Sequence, residues 1–275
     1  MPKTFFEKSA RIGWIAAGAI LFMTAVAGPL HAAPTDDPKP DFTLKSKAAE
    51  ITVTLDADLK ANQSLAEDLL TEGKRWAEKN LADANKEFKK SPELFRDGQA
   101  WSLDRNYESR SVVASRYVSI ARNDYMTTGG AHPNTDTNTI IWDNTTKKRI
   151  SIRPFFKETA DNGPTMKAIF EAVVASLRVE KKGNDAYTTD KDIKSYLQPT
   201  LLKIGAVTFA PSTEAGKSSG LIFDYPPYAV GAYAEGAYDA FVPWDVLKPY
   251  LSPEGIAIFG GNRPADPADT SKSEK

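Results

Sequence analysis

Residues 164–180 leave the chain little choice of conformation. Met166, Ile169, Phe170, Val173, Val174 and Leu177 recur at steps of three and four, so the spacing predicts a helix with one apolar stripe. Asp161-Asn162-Gly163-Pro164 marks its entrance and Gly183 its exit. Such a stripe must be covered, and the segments on either side read as strands. Ile51, Val53 and Leu55 alternate with polar residues. Between Ala100 and Tyr125, β-branched and aromatic residues mix with Ser and Arg, which favours long antiparallel strands. Thr139–Trp142 and Arg149–Ile152 flank the turn residues Asp143-Asn144-Thr145-Thr146, and Ala206–Phe209 pairs with Leu221–Tyr225 across a Ser/Gly-rich loop. Tyr238–Val242 reads as a last strand before a short helix opened by Pro243. Strands in runs, joined by hairpin-length connections, predict an α+β fold with antiparallel sheet packed by a few helices, as one domain or two small lobes.

Two further helices complete this reading. Ser64 and Glu67 have capping-box spacing, and Leu65, Leu69, Trp76, Leu81, Ala84 and Phe88 keep roughly one face, with Pro92 beyond. Asp190 to Gln198 reads as a shorter helix ended by Pro199.

The amino terminus reads as an address. Lys3, Lys8 and Arg11 precede an apolar run over residues 12–27, which Gly28 and Pro29 break, and the cleavage site is expected between Ala32 and Ala33. The run is shorter than the ~20 residues of a spanning helix, and no Cys follows it to carry a lipid. Residues 1–32 are therefore expected to be a signal peptide, sending the mature chain to the periplasm or outside the cell, with no membrane contact after cleavage. Residues 33–40 and 262–275 are Pro-rich or polar without periodicity and read as a disordered linker and tail.

Composition narrows the chemistry. With 35 basic and 36 acidic residues the charge gives no reason to expect nucleic acid. Loss of Lys3, Lys8, Arg11 and Glu7 leaves 32 and 35, a mature charge of −3. There is no Cys, and of two histidines His31 leaves with the signal, so the mature chain keeps only His132. Thiolate nucleophiles and Cys-based metal sites are excluded. No P-loop, G-x-G-x-x-G, H-E-x-x-H, G-x-S-x-G or S-x-x-K set occurs, and Gly216-Lys217-Ser218 lacks P-loop glycine spacing. No cofactor or metal is implied, and the chain reads as a non-enzyme.

Two segments stand out. Thr127-Thr128-Gly129-Gly130-Ala131-His132-Pro133-Asn134-Thr135 reads as a sharply shaped connection between strands. His132, whose ordinary pKa is near ~6.5, is read there as an architectural residue, with a general base as the alternative. Asp124, Asp136 and Asp143 lack any metal-ligand spacing and read as solvated carboxylates. The second segment, residues 224–238, holds Tyr225, Tyr228, Tyr233 and Tyr238 among Gly and Pro. It reads as a loop presenting aromatic rings, some of them packed beneath it. Candidate binding residues are Tyr225, Tyr228, Tyr233, Glu235, His132 and Asn134.

Tyr125 with Gly129-Gly130-Ala131-His132-Pro133-Asn134, then Ile150-Ser151-Ile152 and Phe155-Phe156, resembles the extracytoplasmic domain of RsiV-type anti-sigma factors, also found beside the deacetylase domain of PdaC-type proteins. Phe223, Pro227-Tyr228, Gly231-Ala232-Tyr233-Ala234-Glu235-Gly236 and Val242-Pro243 with Leu247 resemble that family's closing motif. The resemblance spans about residues 42–251 and implies a PdaC-like α+β region over 41–126 followed by an RsiV-like region over 127–252. With eleven residues ahead of the apolar run, neither sigma-factor binding nor a catalytic deacetylase domain is expected. What the resemblance implies is a binding or sensing module of the cell envelope, with a lysozyme-type muramidase or peptidoglycan glycan as partner. The alternative is a cell-wall polymer hydrolase or deacetylase-associated enzyme using His132.

Overall fold

Alternating burial builds the larger sheet. The computed structural model describes residues 39–96, 99–130, 132–182 and 189–265, and the expected signal peptide over residues 1–32 lies outside them. Six strands pair in chain order: β1 (Phe42–Lys45), β2 (Ala49–Leu55), β3 (Trp101–Val113), β4 (Tyr117–Thr127), β5 (Asn134–Asp143) and β6 (Lys148–Ile150). One pair departs from the expected antiparallel pattern. β2 and β3 run parallel from Ala49↔Trp101 to Leu55↔Tyr107, because the chain between them crosses over through a helix, as a parallel pair requires.

That crossover follows the single turn α1 (Ala57–Lys60) and consists mainly of α2 (Gln63–Lys90). The cap of α2 is Asn62, whose side chain accepts from the Leu65 N–H at 3.3 Å, so the helix starts ahead of the expected Ser64/Glu67 box. Leu65, Leu69, Gly73, Ala77 and Ala84 are buried in a core with Ile51, Val53, Leu103, Ile120 and Trp142. Gly73 is needed for the approach, since a Cβ there would stand 2.7 Å from Val53 Cγ1.

The opposite face of β4 and β5 meets a second layer. β7 (Ala206–Phe209), β8 (Gly220–Tyr225) and β9 (Tyr238–Pro243) form an antiparallel sheet in that order. The helix α3 (Pro164–Glu180) buries its whole expected stripe from Met166 to Leu177, in one core with Tyr117, Ile141, Phe223, Tyr225, Tyr238 and Ala240. Polar strand residues between the layers make cross-links. Ser119 Oγ accepts from the Phe209 N–H at 3.0 Å, and Thr139 Oγ1 accepts from the Val207 N–H at 2.8 Å. The helices α4 (Asp190–Tyr196), α5 (Trp244–Leu247) and α6 (Pro253–Ile258) complete the α+β fold. α4 ends two residues short of the expected Gln198, since Leu197 is already extended.

Three expected boundaries shift. The division at 126/127 falls inside the last residues of β4, which pairs with β5 without interruption from Tyr117↔Asp143 to Met126↔Asn134, so one sheet carries both regions. The fold also continues past residue 252: Ile258 and Phe259 are buried in the second core. The tail does not begin at Asn262. Its backbone exchanges hydrogen bonds with Thr213, and the Arg263 guanidinium lies over the Phe241 ring at 5.2 Å. Residues 266–275 and 33–38 lie outside the described residues. No described helix is long and apolar enough to cross a membrane.

Candidate functional site

The two unusual sequence segments meet. The β4–β5 connection, in which Gly129 takes the left-handed conformation at φ +90°, delivers His132. The β8–β9 connection delivers Tyr228 and Tyr233. Tyr233 stacks on His132 with centroids 4.1 Å apart and planes at 21°. Tyr228 closes the group, with its centroid 5.8 Å from His132 and 5.3 Å from Tyr233. Its hydroxyl lies 3.1 Å from His132 Nε2, while Nδ1 lies 3.0 Å from the Pro133 carbonyl. A neutral imidazole protonated at Nδ1 satisfies both contacts, donating to Pro133 and accepting from Tyr228. His132 and Tyr233 are half-buried, whereas Tyr228 is 56% exposed. Tyr228 also holds φ +74°, a conformation that disfavours any residue with a Cβ.

A buried ion pair supports this loop from beneath. Glu235 Oε1 accepts from the Ala232 N–H at 2.7 Å, and Oε2 accepts from Lys181 Nζ at 2.6 Å and the Tyr238 hydroxyl at 2.9 Å. Lys181 is fully buried at the end of α3, with its ammonium 4.2 Å from the Tyr238 ring centroid. Burial works to raise the Glu235 carboxyl, but the hydrogen bonds from Lys181, Ala232 and Tyr238 outweigh it and hold the group below the usual carboxylate range. Gly231 leaves room for the pair, since a Cβ there would stand 2.6 Å from both Glu235 oxygens and Lys181 Nζ.

Of the six expected binding residues, His132, Tyr228 and Tyr233 form the ring cluster and Glu235 forms its foundation. Asn134 is exposed at the start of β5, paired with Met126. Tyr225 departs from expectation. It is 3% exposed, its hydroxyl donates to the Ile204 carbonyl at 2.5 Å, and burial pushes its phenol up. It continues the inward series Leu221, Phe223, Tyr225 of β8 and belongs to the core. Lys181 and Tyr238, both essential to the support, are not among the expected residues. A lysine one step beyond an apolar helix carries no local sign that it will be buried.

Two of the three aspartates read as solvated differ from expectation, while Asp136 is exposed. Asp124 is buried and takes two hydrogen bonds from Arg105, at 2.6 and 2.5 Å. Asp143 is buried and bound by Arg116 at 2.8 and 2.9 Å, and by Thr145 and Thr146 of its own turn. The Arg116 hydrogen bonds hold the Asp143 carboxyl far below the usual range. Both are structural ion pairs rather than solvated charges, and among the described residues the His132 ring is bonded to a hydroxyl and a carbonyl rather than a carboxylate.

By sequence, no known protein family and no curated protein matches the chain. By fold it is similar to a solved DUF3298 family member from Bacteroides fragilis, with a TM-score of 0.52 and 14% identity over 76% of this chain and 87% of that one. It is also similar to a DUF3298 family protein from Pseudomonas aeruginosa PAO1, with a TM-score of 0.50 and 17% identity over 82% and 99% of the two chains. DUF3298 denotes a domain of unknown function, and at these identities the likeness shows the fold.

Proposed function

We propose that the chain is an exported binding or sensing module of the cell envelope, and that its contact surface is the His132–Tyr228–Tyr233 cluster. One observation carries this reading: three aromatic side chains from segments 96 residues apart assemble at the surface on the hydrogen bonds that Glu235 makes to Lys181, Ala232 and Tyr238. Aromatic faces of this kind stack on the apolar faces of sugar rings and anchor protein interfaces. The resemblance to RsiV-type and PdaC-type extracytoplasmic domains adds the partner, a lysozyme-type muramidase or a peptidoglycan glycan. We read the site as acting without chemistry: among the described residues the His132 ring meets the Tyr228 hydroxyl and the Pro133 carbonyl and no carboxylate.

Calorimetric titration of the mature chain with lysozyme and with soluble peptidoglycan fragments tests the proposal. Saturable binding to one of them is expected, weakened by about 1–3 kcal/mol on Tyr228→Ala or Tyr233→Ala. Binding to neither would overturn it. Turnover of the glycan abolished by His132→Ala would replace it with the hydrolase reading.

A further inference from the structure

The other face of the three-stranded sheet carries a pair that strand pairing by itself disfavours. Asp224 on β8 and Asp239 on β9 are directly opposed in register, and like charges so placed weaken a sheet. One Asp224 oxygen is buried with no hydrogen-bond partner. A groove of about 320 Å³ lies at this pair, walled also by Arg110, Arg263, Phe209 and Ile222. That volume falls at the small end of ligand pockets, and an apolar wall with a few charged groups is their usual chemistry. Burial, then the neighbouring Asp239, raise the Asp224 carboxyl to about 6; Arg110 opposes the shift and Glu108 adds to it. Arg110 is paired with Glu108 at 3.3 Å and retains further N–H donors, while Arg263 rests on Phe241.

We propose that this groove binds a small zwitterion, an α-amino acid or short peptide, with its ammonium between Asp224 and Asp239 and its carboxylate held by Arg263 and Arg110. The ammonium removes the repulsion that the opposed carboxylates otherwise keep, and it donates to the oxygen left without a partner. A metal ion suits the site less, since no group of three or more metal-binding side chains occurs among the described residues. A neutral sugar would bring no cation to the opposed carboxylates. The groove and the ring cluster share no residue, so either can fail without the other.

The test is calorimetric titration of the mature chain at pH 6 with L-alanyl-L-alanine, its N-acetyl form and its C-terminal amide, in two buffers of different ionisation enthalpy. The free dipeptide is expected to bind with release of a proton from the aspartate pair, seen as a buffer-dependent heat. Acetylation and amidation are each expected to weaken binding by about tenfold or more, as is Asp224→Asn. Arg263→Gln, at the exposed rim, gives a second variant independent of the aspartate pair and is expected to weaken the dipeptide but not its amide. Absence of dipeptide binding, equal binding of all three compounds, or unchanged binding by both variants would overturn the proposal.

Discussion

Lys181 Nζ lies 2.6 Å from Glu235 Oε2 with the lysine side chain wholly buried, so the end of α3 is fastened to the turn that presents Tyr233. Removing one partner leaves a buried charge without its counter-ion, which costs on the order of 3 kcal/mol or more. Lys181→Met should lower stability by that amount, and Lys181→Met with Glu235→Gln should lose less than the sum of the single changes. Urea unfolding of the four proteins measures the coupling. Strict additivity would show that the pair does not act as a unit.

Tyr228 combines an exposed ring with a left-handed backbone. Left-handed φ at a non-glycine residue costs about 1–3 kcal/mol, so Tyr228→Gly should be more stable than Tyr228→Ala by roughly 1 kcal/mol. Both variants lose the ring and should lose partner affinity alike. Thermal unfolding and titration together separate the backbone cost from the contact; a glycine variant no more stable than the alanine one would remove the strain from the account.

Tyr225 separates core from contact in the same tyrosine-rich segment. Tyr225→Phe removes the hydroxyl that donates to Ile204 and should cost about 1 kcal/mol, with no change in partner affinity. A clear loss of affinity, without unfolding, would return Tyr225 to the contact surface.

Asp224 makes stability depend on pH with a definite sign. Its carboxyl titrates near 6 in the fold against an ordinary 3.8, so between those values the folded protein holds more protons than the unfolded chain. Stability therefore falls as pH rises from about 4 to about 6 and levels off above. Asp224→Asn should flatten that fall and stabilise the protein at pH 7 by on the order of 1–2 kcal/mol after solvent screening. Chemical denaturation at pH 4, 6 and 8 reads the slope directly, and a parallel decline in both proteins would assign it to another group.

Local periodicity carried most of the fold into view. The stripe of α3 and the alternation of β2 depend on neighbours a few residues apart, and the structure buries them as expected. What stayed hidden depends on partners far along the chain. Asp124 looks like any solvated aspartate until β3 places Arg105 beside it, nineteen residues away. Lys181 becomes buried only because Glu235 arrives 54 residues later. The parallel β2–β3 pair was concealed for a related reason, since the same strand patterns fit either direction and only the crossover through α2 decides. Within the site, His132, Tyr228 and Tyr233 were legible from composition and turn chemistry. Tyr225 was not separated from them, although its inward register in β8 was already written in Leu221 and Phe223.

The uninterrupted ladder between β4 and β5 bears on how such a chain can evolve. A gene break after position 126 would give each product a long strand with an unpaired edge, the kind of surface that recruits other chains into aggregates. The β5–β6 fragment would also lose the strand on which Ile141 and Trp142 are laid down. Although the sequence reads as two adjoining regions, inheritance, expression and quality control would meet them as one object.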